Sequence, residues 1–261
     1  MSTTRPEPTT ESRTNMEQLT SASKRKTGLQ LPHSFLRSED GLPPLLSLLR
    51  GGRSGEVRLK LYLTASLIAA AHPHEYRRNT PARAWAELLN LPKPATAGAR
   101  RVSDAFEWLD DHDYLRVDRR RGVPPKFTLL SMNLDGKGYV KPTTEYVAVP
   151  LGLWTRHWIN ALSGTELAIL LAILDLPGND DPHSRQPRFA TGEQKDKYGF
   201  SDDSWTRATK QLVHLGVLEV TRKVANGGMS QRRNRNIYRL IDPHLDTEPT
   251  WPVTCWDSIE E

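Results

Sequence analysis

The chain has one cysteine, Cys255, in 261 residues. A lone cysteine excludes an internal disulfide and any zinc site built from several thiolates. No run of eighteen apolar residues exists, so no stretch reads as a membrane-spanning helix. The apolar run Leu67 to Ala71 belongs to a helix that also carries Arg58 and Lys60. The first twenty residues are rich in Thr, Ser, Pro and Glu and contain no apolar signal region, which predicts a cytoplasmic protein. Gly51-Gly52-Arg53-Ser54-Gly55 lacks the Gly-Lys-Ser/Thr ending of a phosphate loop and reads as a flexible joint. No pair of carboxylates and no Ser/His/Asp grouping can be picked out. The expectation is a chain without catalytic residues, cofactor or metal.

Basic charge is what the sequence does have. The first thirty residues carry five basic and three acidic side chains, and the last twenty carry six acidic and no basic ones. The body between them holds 31 basic against 22 acidic residues. Such a body favours a polyanionic partner, nucleic acid ahead of an anionic membrane surface. Arginine outnumbers lysine, which suits forked contacts to phosphate or guanine. The mean hydropathy of −0.59 leaves much of the chain wet, while 37% hydrophobic residues still fill a core.

Residues 1–30 show no periodicity and are expected to be a disordered polar tail. Their cluster Lys24-Arg25-Lys26 reads as a solvated tail or a DNA-contacting arm. A helix is predicted from Glu56 to Ala71, stopped by Pro73. A second begins at Thr80-Pro81 and turns Trp85, Leu88 and Leu89 inward. A third, from about Gly98 to Asp111, buries Val102, Ala105, Phe106 and Leu109. Alternation then predicts strands over Tyr114–Asp118 and Lys126–Leu130, joined by the basic turn at 119–125. A linker over 133–144 and a strand over Tyr146–Val149 lead to a helix opening at Ser163. There Ser163 and Glu166 form a capping box. A short helix near Gly192–Tyr198 and a capped helix over Ser201–Leu215 follow, then strands Val217–Val224 and Asn236–Ile241. The acidic 242–261 segment reads as a second tail.

The order repeats itself. A shift of 103 positions lays Val102 on Trp205, Ala105 on Ala208, Leu109 on Leu212, Leu115 on Leu218 and Val117 on Val220. The stretch Phe200 to Lys223 (FSDDSWTRATKQLVHLGVLEVTRK) resembles the recognition helix and wing of bacterial winged-helix regulators. The resemblance implies an α+β, mainly helical fold: two winged helix-turn-helix modules in tandem, each with a small β-hairpin wing. The boundaries are 31–132 and 151–241, joined by 133–150. A tandem layout bridged by Tyr146 to Ala161 is also similar in architecture to plasmid replication initiators, whose further motifs are not recognisable here. Both likenesses imply double-stranded DNA as partner, with a homodimer open; a third reading is a winged-helix protein-interaction module.

The resemblance implies that the exposed face of the third helix enters the major groove, which here means Asp203, Thr206, Arg207 and Lys210. The second hairpin adds Arg232, Arg233 and Arg235 beside a Gly227-Gly228 turn; three guanidinium groups on one loop call for an anionic partner such as phosphate. The first module offers Arg100, Arg101 and Ser103 on its helix, then Arg119, Arg120, Arg121 and Lys126 on its hairpin. Asp104, Glu107, Asp110 and Asp111 make the rest of that helix acidic, facing away from DNA or toward a partner. His72-Pro73-His74 imitates the metal-binding His pair of rolling-circle nicking enzymes, but Pro73 breaks the strand such a pair needs, so a polar turn is expected. Trp154 and Trp158 are expected to pack inside the protein.

Overall fold

The computed structural model describes residues 4–52, 54–69, 71–120, 122–176, 187–226 and 232–255. Strand β1 (Thr4–Arg5) and helix α1 (Thr10–Ser23) precede strand β2 (Leu29–Pro32) and two short helices, α2 (His33–Leu36) and α3 (Pro44–Leu49). A first unit follows with α4 (Gly55–Ile68), β3 (Glu75–Tyr76), α5 (Ala82–Leu88), a π-helical turn at Pro94–Gly98, α6 (Ala99–Asp111), β4 (Leu115–Arg120) and β5 (Val123–Leu129). Strand β6 (Tyr146–Val149) and helices α7 (Gly152–Thr155) and α8 (Trp158–Ala161) form a bridge. A second unit comprises α9 (Gly164–Asp175), β7 (Arg188–Phe189), α10 (Gly192–Tyr198), α11 (Asp202–His214), β8 (Leu218–Asn226) and β9 (Arg232–Leu240). Strand β10 (Val253–Thr254) comes last. The class is α+β, with helices and small antiparallel sheets.

The two units share one order, helix–strand–helix–helix–strand–strand. They also share one sheet arrangement, β3-β5-β4 and β7-β9-β8, in which the last strand lies in the middle. The registers correspond. Val117 faces Phe127 and Leu115 faces Leu129 in the first sheet; Val220 faces Tyr238 and Leu218 faces Leu240 in the second. Helices α6 and α11 begin and end 103 residues apart, as do the starts of β4 and β8. Each helix buries the expected stripe, Val102, Ala105, Phe106 and Leu109 in one and Trp205, Ala208 and Leu212 in the other.

The units do not have separate cores. Helices α4 and α9 pack directly on each other, and one cluster of buried apolar side chains runs through both units and the bridge. Helix α9 is apolar on almost every side and opens with the capping box: Ser163 N–H donates to Glu166 Oε2 (2.6 Å) and Glu166 N–H to Ser163 Oγ (3.2 Å). Helix α4 is equally buried although it carries Arg58 and Lys60. Arg58 ends in three carbonyls at the end of α3, those of Leu48, Gly51 and Arg50, and stacks 4.2 Å from the Trp108 ring centroid. Both bridge tryptophans are buried, as expected: Trp154 Nε1 donates to Thr64 Oγ1 (3.1 Å) and Trp158 Nε1 to the carbonyl of Thr247 (2.7 Å).

Both expected tails need correction. Helix α1 is capped by Thr9, whose hydroxyl accepts from Ser12 N–H, and it lies against α4 and α5 with Met16 buried. Its apolar residues are too sparse to produce a readable stripe; polar contacts anchor it instead. Ser12 donates to the carbonyl of Leu88, and Arg13 pairs with Glu248 (3.1 Å). Arg25, expected in a solvated cluster, turns inward and donates to the carbonyls of Ser66 and Leu67 at the end of α4. The acidic 242–255 stretch is likewise built in. Asp242 accepts from the backbone N–H groups of Asp246 and Thr247, Leu245 and Val253 are buried, and β10 pairs with β1. The strand expected at Tyr146–Val149 is β6, which pairs with β2 along four residues.

Candidate functional site

Helix α11 starts at Ser201, whose hydroxyl accepts from Ser204 N–H (3.2 Å). With Trp205, Ala208, Thr209 and Leu212 turned inward, Asp203, Thr206, Arg207 and Lys210 are left on the exposed face, together with His214. Arg207 and Asp203 form an ion pair one turn apart, which holds the guanidinium along the helix. Arg207 also borders a depression lined by Ser163, Thr165, Glu166, Gln211 and Cys255, between α11 and the start of α9.

The β8–β9 hairpin carries the next group. Its nine-residue strands pair along their full length, longer than β4 and β5. The backbone of Arg232, Arg233 and Arg235 lies in β9, opposite Asn226, Ala225 and Lys223; the side chains of these residues and the Gly227-Gly228 turn lie outside the described residues. Lys223 and Arg235 are backbone partners across the ladder.

In the first unit the expected residues separate. Arg100 and Ser103 are exposed on α6 and Arg101 is half-buried, with the Ser103 hydroxyl donating back to the carbonyl of Ala99 (3.1 Å). Asp104, Glu107 and Asp111 are exposed on the same face, while Asp110 turns to accept from Val117 N–H (3.0 Å). On the hairpin, Arg119 pairs with Glu107 (3.6 Å) and Arg120 with Asp118 (3.4 Å), both at exposed positions where such pairs are weak. Lys126 lies across the ladder from Asp118, and Arg121 falls outside the described residues. Arg77 and Arg116, which were not among the expected residues, line a shallow groove with Lys126, Glu75 and Asp118 on the outer sheet face. The alternation Arg116, Asp118, Arg120 along β4 carries the signal for Arg116; Arg77 joins it only because β3 pairs with β5.

The second unit is held to the N-terminal segment by a buried carboxylate. Asp175 accepts from the Tyr198 hydroxyl (2.7 Å), hydrogen-bonds His33 Nδ1 and forms an ion pair with Arg37 Nε (3.3 Å). Burial pushes its pKa above the ordinary range, against the pull of Tyr198, Arg37 and His33. Burial, reinforced by Asp175, also pushes the Tyr198 phenol upward. This cluster ties α2 to the ends of α9 and α10 and so fixes the platform on which α11 sits. Nearby, the buried Arg188 donates to the carbonyls of Ile173 and Leu174 at the end of α9.

Elsewhere, His74 packs edge-on against Tyr139 and its Nδ1 lies 3.1 Å from the carbonyl of Ala69. Among the described residues, no three His, Cys, Asp or Glu side chains gather in a metal-binding arrangement. No described helix is long and apolar enough to cross a membrane. Comparison of the chain with protein-family models, with curated proteins and with solved structures finds no match.

Proposed function

We propose that the chain is a double-stranded DNA-binding protein of the bacterial transcription-regulator kind, each six-element unit being a winged helix-turn-helix module. The observation that carries this reading is the repeated order helix–strand–helix–helix–strand–strand, each time with the last strand central and a basic hairpin following the third helix. In this reading α11 enters the major groove. Arg207 offers a fork to guanine, Thr206 and Lys210 reach base edges or phosphates, and Asp203 orients Arg207 or accepts from a cytosine amine. The β8–β9 hairpin, with Lys223, Arg232, Arg233 and Arg235, lies along the backbone or in the minor groove, where phosphates neutralise its basic residues. The first unit contributes its hairpin and sheet face, Arg77, Arg116, Arg119, Arg120, Arg121 and Lys126. Helix α6 is left out, because Asp104, Glu107 and Asp111 beside Arg100, Arg101 and Ser103 repel phosphate. The reading has no catalytic step, no cofactor and no membrane partner, and it places the protein on the nucleoid in the cytoplasm.

The test is a duplex-binding titration at several salt concentrations. Replacing Arg232, Arg233 and Arg235 by Ala should reduce the slope of log affinity against log salt by about 2 to 3, at roughly 0.9 for each phosphate that is no longer neutralised. An unchanged slope refutes the hairpin assignment. A wild-type chain without salt-dependent duplex binding refutes the DNA reading and leaves a protein-interaction module. A second reading, a plasmid-type replication initiator, is favoured by the bridge β6–α7–α8 and by the packing of α4 on α9, which join the units as a tandem reader. Sequencing the bound DNA fragments separates the two: single promoters support a regulator, arrays of direct repeats an initiator.

A further inference from the structure

The inward stripes of α6 and α11 match, while their outward stripes are opposite in charge at three of four positions. At the common offset of 103, Arg100 corresponds to Asp203, Asp104 to Arg207, Glu107 to Lys210 and Asp111 to His214. All eight residues are exposed. On each helix the four are spaced by four, three and four residues, which places them on one stripe. The core positions between them stay apolar in both helices, Val102 with Trp205, Ala105 with Ala208 and Leu109 with Leu212. The fold has kept the helix and changed the sign of its exposed face.

We propose that the outward face of α6 docks a second copy of this chain through that copy's α11. With the two helices side by side and running in the same direction, three of the four positions meet an opposite charge, Arg100 with Asp203, Asp104 with Arg207 and Glu107 with Lys210, and Asp111 meets the imidazole of His214. An antiparallel pairing keeps the two inner pairs, Asp104 with Lys210 and Glu107 with Arg207, but sets Asp111 against Asp203 and takes Arg100 away from that carboxylate, so the outer positions favour the parallel one. The contact uses two different surfaces, so it is heterologous: each copy has one donor face and one acceptor face, and association continues beyond a dimer unless a ring closes. Because every pair is exposed, the contact is weak and salt-sensitive. It occupies the α11 face, so copies docked in this way compete with any anionic ligand of α11. The inference does not depend on the DNA reading and is tested without nucleic acid.

The experiment is sedimentation velocity of the nuclease-treated full chain across a range of protein concentrations. Four proteins are compared: wild type, Asp104→Arg/Glu107→Lys, Arg207→Asp/Lys210→Glu, and the chain carrying all four changes. At about 20 mM salt the wild-type average mass should rise with concentration above the 29.5 kDa of one chain. At about 0.5 M salt, where the screening length is roughly 4 Å, it should return to that value. Either two-site reversal should abolish association, and the four-site variant should restore it, since the faces are again opposite. All substituted positions are exposed, and matching circular dichroism melts establish that the variants fold. A wild type that stays at one chain in low salt, a dimer indifferent to either reversal, or a four-site variant that remains monomeric overturns the proposal. Any of these leaves duplex binding by α11 to be judged by its own titration.

Discussion

Replacing Glu56 by Gln tests how the N-terminal segment is held to the buried helix α4. Glu56 Oε1 accepts from Lys60 Nζ (2.8 Å) and from Arg5 Nη1 (2.8 Å), and Oε2 accepts from Arg5 Nη2 (3.2 Å). The Lys60 side chain is only 3% exposed, so its charge depends on this carboxylate. Removing one partner of a buried pair costs roughly 3–5 kcal/mol; with Glu56 itself 32% exposed, water screens part of this and about 2–3 kcal/mol is expected. At roughly 2–4 °C per kcal/mol for a chain of this size, Glu56→Gln should melt about 5–10 °C below wild type. Lys60→Met removes the buried charge instead of stranding it and leaves Glu56 paired with Arg5, so its cost should be smaller. The pH dependence gives a second readout. Burial raises the pKa of Glu56, but Lys60 and Arg5 together pull it well below the ordinary 4.5. The stabilisation is therefore present at neutral pH and fades as pH falls below about 4.5, so the gap between wild type and Glu56→Gln should narrow in acid. Burial lowers the pKa of Lys60, and it falls further without Glu56. The unfolded chain then binds the extra proton, so the variant should regain stability as pH rises toward the ordinary lysine value. Urea and thermal unfolding followed by tryptophan fluorescence supply both measurements. If Lys60→Met destabilises as much as Glu56→Gln, the stranded-charge argument is refuted.

Two further outcomes follow from the corrected ends of the chain. Deleting residues 1–24 removes Met16 from the core and the bonds of Ser12 and Arg13, so the shortened chain should unfold at clearly lower urea; an unchanged midpoint would show that α1 adds no stability. Gly28→Ala would place a Cβ 1.5 Å from the carbonyl oxygen of Val149, forcing β2 away from β6. Amide exchange at Leu29 and Leu31 should accelerate relative to that in β5, and equal protection in wild type and variant would contradict this.

The elements with a dense apolar period are legible in the amino-acid sequence. Helices α4, α5, α6, α9 and α11, their two hairpins and the Ser163 capping box all belong to this group, because a 3.6-residue or two-residue alternation of core side chains is written locally. The exposed stripe of α11 follows from the same periodicity. Helix α1, with Met16 and Leu19 against a polar background, is not legible, since contacts to Leu88 and Glu248 far along the chain hold it. Strands β1, β3, β7 and β10 have two residues each, too few to show alternation, and exist only because partners pair with them.

By itself the sequence determined the duplicated order of three helices and a hairpin, the inward stripes and the location of the basic hairpins, all of which depend on neighbours within about a dozen residues. Only the tertiary structure decided that α4 and α9 share one core, that Arg25 and Arg58 cap helix ends instead of meeting solvent, and that Arg77 joins Arg116 and Lys126 on one face. Those outcomes turn on desolvation: a buried carbonyl or carboxylate must find a donor somewhere, and which donor reaches it is settled by packing between segments distant in the chain.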